Sequence, residues 1–277
     1  MTYQKAFDSS EYKARLFKVK QRMNEKGFDM LICQDPANMC WLTGFDGWSF
    51  YTPQAVLVLL SEEWPIWFGR EQDAKSATIT TDIPESNIVP FSEPLVHHET
   101  LHPFDELCDY IKLKKWERTR IGVDFDAHYF TARAHKHLYT GLPNAKISDN
   151  KELVNWARLI KSPAELKYMR EAGVICTNTM LQALDKIAPG VRQYEIIADI
   201  YKNQINGVDG KYGDYTGLCP LIQVGESTST PHLTWSDEPL PKEGLVVLEI
   251  GAARRHYHAP LTRTAFIGNI PKEVTNL

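Results

Sequence analysis

Leu159-Ile160-Lys161-Ser162-Pro163-Ala164-Glu165 opens the stretch that decides the fold, and Ile187-Ala188-Pro189-Gly190 closes it. Ser162 can accept the first backbone N–H groups of a helix, and Glu165 can reach back to the cap residue. Pro163 suits the first helical position, where a missing N–H costs nothing. Leu166, Met169, Gly173, Cys176, Met180, Leu184 and Ile187 then recur at spacings of three and four, the apolar stripe of a long helix. Pro189-Gly190 stops it. A second helix is expected over 193–205, with Ile196, Ile197, Ile200 and Tyr201 apolar. Residues 245–250 and 261–267 then read as strands, separated by a polar segment expected to form a long hairpin. Helices followed by strands make this half an α+β domain.

Upstream of Ser162, helices and strands alternate. Residues 9–26 read as a helix, with Leu16, Val19 and Met23 on one face and Gly27 as the stop. Residues 30–33 read as a buried strand, and 55–60 and 65–68 as two strands joined by Ser61, Glu62 and Glu63. A strand over 121–125 lies between helical stretches 102–114 and 131–139. This alternation predicts an α/β layer domain. A chain of 277 residues fits two domains at roughly 150 residues each, here 1–155 and 156–277.

Composition excludes several classes. Apolar residues make up 43% and charged residues 24%, the balance of a globular protein rather than a disordered or collagen-like one. Lys and Arg number 31 against 35 Asp and Glu, for a net charge of −4. The main basic cluster, Lys112, Lys114, Lys115, Arg118 and Arg120, is interrupted and reads as a solvated helix end, so nucleic acid is not an expected partner. Cys33, Cys40, Cys108, Cys176 and Cys219 form no CxxC pair and no zinc-like spacing, and read as reduced thiols of a cytoplasmic protein. Residues 1–8 lack the apolar core of a signal peptide, and the longest apolar run, 55–60, is too short for a membrane span.

The segment 159–165 together with Ile187-Ala188-Pro189-Gly190 resembles signatures of the creatinase/prolidase/methionine-aminopeptidase superfamily. Ser229-Thr230-Pro231-His232 is similar to the segment carrying that superfamily's substrate-facing histidine. Leu248-Glu249-Ile250-Gly251-Ala252, with Tyr257 and Leu261-Thr262-Arg263-Thr264, resembles its central strand pair. The resemblance implies a creatinase-like α/β N-terminal domain followed by an α+β pita-bread catalytic domain. It also implies a further half of that domain, with another histidine and two glutamates, so the expectation is that this chain holds only the first part.

Metallopeptidases of the superfamily carry aspartate ligands at the positions of Glu249 and Pro260. Proline has no side-chain donor, so the expected metal and cofactor content is none and the metal-free, creatinase-like branch fits better. Within that branch, residues 41–51, Pro231-His232-Leu233-Thr234-Trp235 and residues 257–264 resemble the ectoine hydrolases. That resemblance implies opening of the cyclic amidine of ectoine, or of hydroxyectoine, to N-acetyl-2,4-diaminobutyrate by a cytoplasmic homodimer.

The residues themselves supply parts for such a reaction. An amidinium needs aromatic faces and a carboxylate needs cationic donors. A water attacking the amidine carbon needs a base, and the leaving nitrogen needs an acid. Glu249, on the same strand face as Leu245 and Val247, is the candidate base or amidinium partner, and His232 the candidate proton shuttle. Trp48, Phe50, Tyr51 and Trp235 are candidates for an aromatic box, with Tyr257 and His258 as further substrate contacts. Residues 44–49 form a glycine-containing loop, expected to be exposed and to cover the catalytic domain of the same or a partner chain. Arg263 is expected to hold Glu249 or a glutamate distant in the chain, supporting the site from behind, and Arg254 and Arg255 are open between facing a substrate carboxylate and forming a solvated turn. Three other readings remain at this point: a creatinase-like amidinohydrolase, an Xaa-Pro peptidase relative and a non-catalytic pita-bread protein.

Overall fold

The computed structural model describes residues 3–272. The first two of residues 1–8, and residues 273–277, lie outside the described residues. The chain divides into two compact units, Met1–Ile160 and Lys161–Leu277.

The first unit runs α1 (Ser9–Lys26), β1 (Met30–Cys33), α2 (Pro36–Thr43), β2 (Ala55–Leu59), β3 (Ile66–Arg70), α3 (Ala74–Thr80), β4 (Ile88–Phe91), α4 (Pro103–Leu113), β5 (Arg120–Val123), α5 (Ala132–Gly141), β6 (Lys146–Asp149) and α6 (Leu153–Arg158). Its six strands form one sheet in the order β4-β3-β2-β1-β5-β6. β1 pairs antiparallel with β2 and β2 with β3, whereas the β3–β4, β1–β5 and β5–β6 pairs are parallel. Strand alternation splits the core in two. Leu31 and Cys33 of β1 face a layer built from α1, α2 and α6, while Met30 and Ile32 face a layer built from α4 and α5. Helices cover both faces, so β1 and β2 are buried along their whole length.

The second unit runs α7 (Pro163–Asp185), α8 (Gln193–Asn206), β7 (Leu221–Val224), β8 (Gly244–Arg254) and β9 (Tyr257–Ile267). The predicted capping box at Ser162 is present: the Ser162 hydroxyl accepts from Glu165 N at 3.2 Å, and Ser162 N donates to Glu165 Oε2 at 2.7 Å. The buried face of α7 differs from the expected stripe. It carries Glu165, Ala172, Ile175, Cys176, Thr179, Met180 and Ala183, while Leu166 is exposed. On that face the small side chains Ala172, Cys176, Thr179 and Ala183 are interleaved with the larger Ile175 and Met180.

The three strands form an antiparallel sheet in the order β7-β8-β9. Val246, Leu248, Ile250 and Ala252 of β8 pack with α7 and α8 into the core of this unit. The expected long hairpin is instead a tight one. β8 and β9 pair continuously from Gly244↔Ile267 to Arg254↔Tyr257, leaving only Arg255 and His256 as the turn. Both turn residues have positive φ, 51° and 63°, the two-residue geometry whose twist matches that of antiparallel strands. Asp214 fixes this turn by accepting from His256 N at 3.1 Å, while its own N–H donates to Ala253 O at 2.9 Å.

Candidate active site

Register fixes which side chains share a face. Glu249 stands between Leu221 on β7 and Thr262 on β9, so these three point to one side of the sheet. Val247 and Thr264 extend the same face one step, with Gln223 on β7. Pro260 lies on it across from Gly251. The opposite face carries the apolar core beneath the helices. Glu249 is therefore on the face that α7 and α8 leave uncovered, half-buried and without a hydrogen-bond or ion-pair partner among the described residues. A half-buried carboxylate with no such partner is costly to keep unless something else meets it.

The segment carrying His232 is tied over this face. Gln223 is buried, and its Nε2 donates to Leu233 O at 2.7 Å, one residue beyond His232. His232 itself is exposed. Further along, Ser236 N donates to the Gln193 side chain and Arg192 Nη1 to Asp237 O, anchoring the segment to the start of α8.

Several expected site residues have other partners. Arg263 pairs with Leu248 on the face opposite Glu249, and its Nη1 donates to Thr262 O at 2.7 Å. Of its two expected partners, Glu249 is excluded by the two-residue period of a strand, which sends neighbours at 262 and 263 to opposite sides. Tyr257 also lies on the helix side, where its hydroxyl donates to Glu165 Oε1 at 2.8 Å and its ring stacks on Tyr168. His258 lies on the Glu249 side but at the hairpin end, with both ring nitrogens engaged. Nδ1 is 2.9 Å from His256 O, so it carries the proton, and Nε2 accepts from Gly217 N at 3.0 Å. Burial pushes its pKa down and keeps it neutral. Arg254 is bound to Glu171 of α7 at 3.3 Å and lies over the Tyr212 ring. Trp235 meets Tyr201 of α8 edge-on, with ring centroids 6.3 Å apart.

Trp48, Phe50 and Tyr51 belong to the first unit. Their rings form a cluster, with centroids 4.8 Å apart for Trp48–Phe50 and 6.0 Å for Trp48–Tyr51. Trp48 is 64% exposed, so the loop displays the cluster rather than burying it. Ser49 and Gln54 hold the loop from inside through a 2.8 Å hydrogen bond.

Thr262, Thr264 and Gln223 were not singled out from sequence as site residues. The signal for the two threonines was available: alternation along 261–267, placed in register with Glu249, gives their face. Gln223 carried no comparable signal, because its role depends on a chain segment ten residues away.

The donor set does not meet the needs of a two-cation centre. On this face Glu249 and Pro260 stand where the superfamily resemblance implies two aspartate ligands, and proline offers no side-chain donor. The arrangement can instead offer a carboxylate at Glu249, hydroxyls on the same face at Thr262 and Thr264, and an exposed imidazole at His232 on the segment tethered by Gln223.

Two family models match the chain: the Creatinase/Prolidase N-terminal domain over residues 15–160 and Metallopeptidase family M24 over residues 167–277. The chain is 39% identical over 273 residues to an ectoine hydrolase of Halomonas elongata, spanning 96% of this chain and 68% of that protein. It is 38% identical over 271 residues to an uncharacterized hydrolase/peptidase of Sinorhizobium fredii, spanning 98% and 69%. Among solved structures, a prolidase from Thermococcus sibiricus superposes with a TM-score of 0.80 at 18% identity, covering 97% of this chain and 69% of that one. The architecture is thus a creatinase-type N-terminal domain joined to pita-bread elements, as the resemblance implied.

Proposed function

The chain belongs to the metallopeptidase M24 family and is a hydrolase of that family, and from that premise we propose that it opens the cyclic amidine of ectoine or hydroxyectoine with water and without a metal. The observation that carries this reading is the unpartnered Glu249 carboxylate on the open sheet face, with Pro260 where a second metal-binding carboxylate would be needed. The 39% identity to an ectoine hydrolase supports the choice of substrate.

The chemistry is an addition followed by a cleavage. Glu249 takes a proton from water as its oxygen bonds to the amidine carbon. One ring C–N bond then breaks, the carbon becomes an amide carbonyl, and the departing nitrogen accepts a proton and leaves as an amine. The His232 imidazole is the candidate donor of that proton, and Gln223 holds the segment that carries it. Thr262 and Thr264 offer hydroxyls beside Glu249 for orienting the water.

The test is hydrolysis of ectoine followed as N-acetyl-2,4-diaminobutyrate, with creatine in a parallel reaction and EDTA in both. Product from ectoine in EDTA supports the proposal. Product from creatine alone would move the reading to a guanidino acid, and activity that EDTA removes and a divalent cation restores would move it to the peptidase chemistry.

A further inference from the structure

The first unit contains a cavity of about 300 Å³, the size of a small-molecule site, and none of its lining residues is acidic. Its lining is unlike that of a packing defect. Two helices of ordinary length begin at its wall: α4, whose cap residue is His102, and α5, whose cap residue is Thr131. The N-terminal ends of helices carry partial positive charge and favour anions. Arg133, in the first turn of α5, adds a full charge. Its Nη2 donates to the carbonyls of His98, Glu99 and Leu101 at 2.7–2.9 Å, and no carboxylate pairs with it among the described residues. His102 Nδ1 accepts from Phe104 N at 3.1 Å, which leaves Nε2–H as the donor of the neutral ring.

The independent observation is Gln34. It lies just beyond the end of β1, lines the same cavity and is only 2% exposed. Both its amide oxygen and its amide nitrogen are buried without a hydrogen-bond partner among the described residues. An orphaned donor and acceptor side by side are costly to bury, and they are matched only by a group presenting an acceptor and a donor together. A bare carboxylate would leave the Gln34 oxygen unpaired, whereas an amide satisfies both atoms in one plane. Phe50 and Tyr51 supply an apolar wall.

We propose that this cavity binds a small amide-bearing carboxylate, of the class of an N-acyl amino acid, with its carboxylate toward Arg133 and the two helix N-termini and its amide on Gln34. The site lies wholly within the first unit and does not depend on the reaction proposed above.

Titration calorimetry of the full chain tests this with N-acetylglycine as the probe, compared with acetate and inorganic phosphate. Saturable binding of N-acetylglycine is expected at one per chain, about tenfold or more tighter than either comparator. Gln34→Leu should weaken N-acetylglycine by about tenfold while raising the Tm of the free chain, because it removes the orphaned amide. A residue with a purely structural role would lower the Tm instead. Glu249→Gln should bind N-acetylglycine as the unaltered chain does, separating this site from the sheet face. The proposal is overturned by an absence of saturable binding, by phosphate binding as tightly as N-acetylglycine, or by unchanged affinity in Gln34→Leu. Should that variant fail to fold, the order of the three probes on the unaltered chain still decides.

Discussion

The Tyr257 hydroxyl donates to Glu165 Oε1 at 2.8 Å, joining the first turn of α7 to the first residue of β9 across 92 positions of chain. Glu165 is 2% exposed, and its other oxygen accepts from Ser162 N. One carboxylate thus serves the helix cap and the hairpin together. Tyr257→Phe removes a hydrogen bond to a buried charged group and should cost about 1.5–3 kcal/mol. Urea unfolding should show a lower midpoint with an unchanged slope. Ser162→Ala, which removes only the cap, should cost about 1 kcal/mol.

Glu249→Gln separates chemistry from stability. The carboxamide keeps the shape but cannot act as a base, so turnover should fall by about 10²–10⁴-fold. Because Glu249 has no partner to lose among the described residues, the Tm should hold or rise. A fall in Tm matching the loss of activity would show a structural carboxylate.

Gln223→Leu tests whether the segment carrying His232 is held for catalysis. The substitution removes the tether to Leu233 O while keeping an apolar stem in the buried position. We expect kcat to fall by about tenfold with stability changed by less than about 1 kcal/mol. Unchanged kcat would mean that the position of His232 does not limit the reaction.

Acid stability reports on His102. Burial, then the charges of His137 and Arg133, lower its pKa to about 4. The unfolded ring, with a pKa near 6.5, binds its proton first, so folded stability is lost as pH falls from about 6.5 toward 4. His102→Asn keeps a cap acceptor for Phe104 N but cannot titrate. Its Tm should therefore fall less steeply than that of the unaltered chain across this window, as measured by thermal melts at several pH values.

Much of the fold was legible because its signals are local. The box at Ser162 and the periodic residues after it announce α7, and Gly27 marks the end of α1 as predicted. The hairpin was underestimated because Ala252–Arg254 and Tyr257–Ala259 are held by strand pairing and by Asp214 rather than by apolar alternation. Short elements such as α2, β4 and β7 depend on long-range pairing and left no periodic trace. In the site, Glu249 stood out because a carboxylate in an apolar strand needs a reason. Arg263 misled because proximity in sequence hides the alternation of faces. The partners of Tyr257 and His258, Glu165 and Gly217, lie far off in the chain and could not be read from their own segment.

The most direct test of the account is ectoine hydrolysis by the protein expressed from its complete gene, in the presence of EDTA and beside its Glu249→Gln variant. The account predicts N-acetyl-2,4-diaminobutyrate from the unaltered protein in EDTA and its near-loss in the variant. Undiminished product from the variant, or no product from ectoine by the unaltered protein, would contradict it.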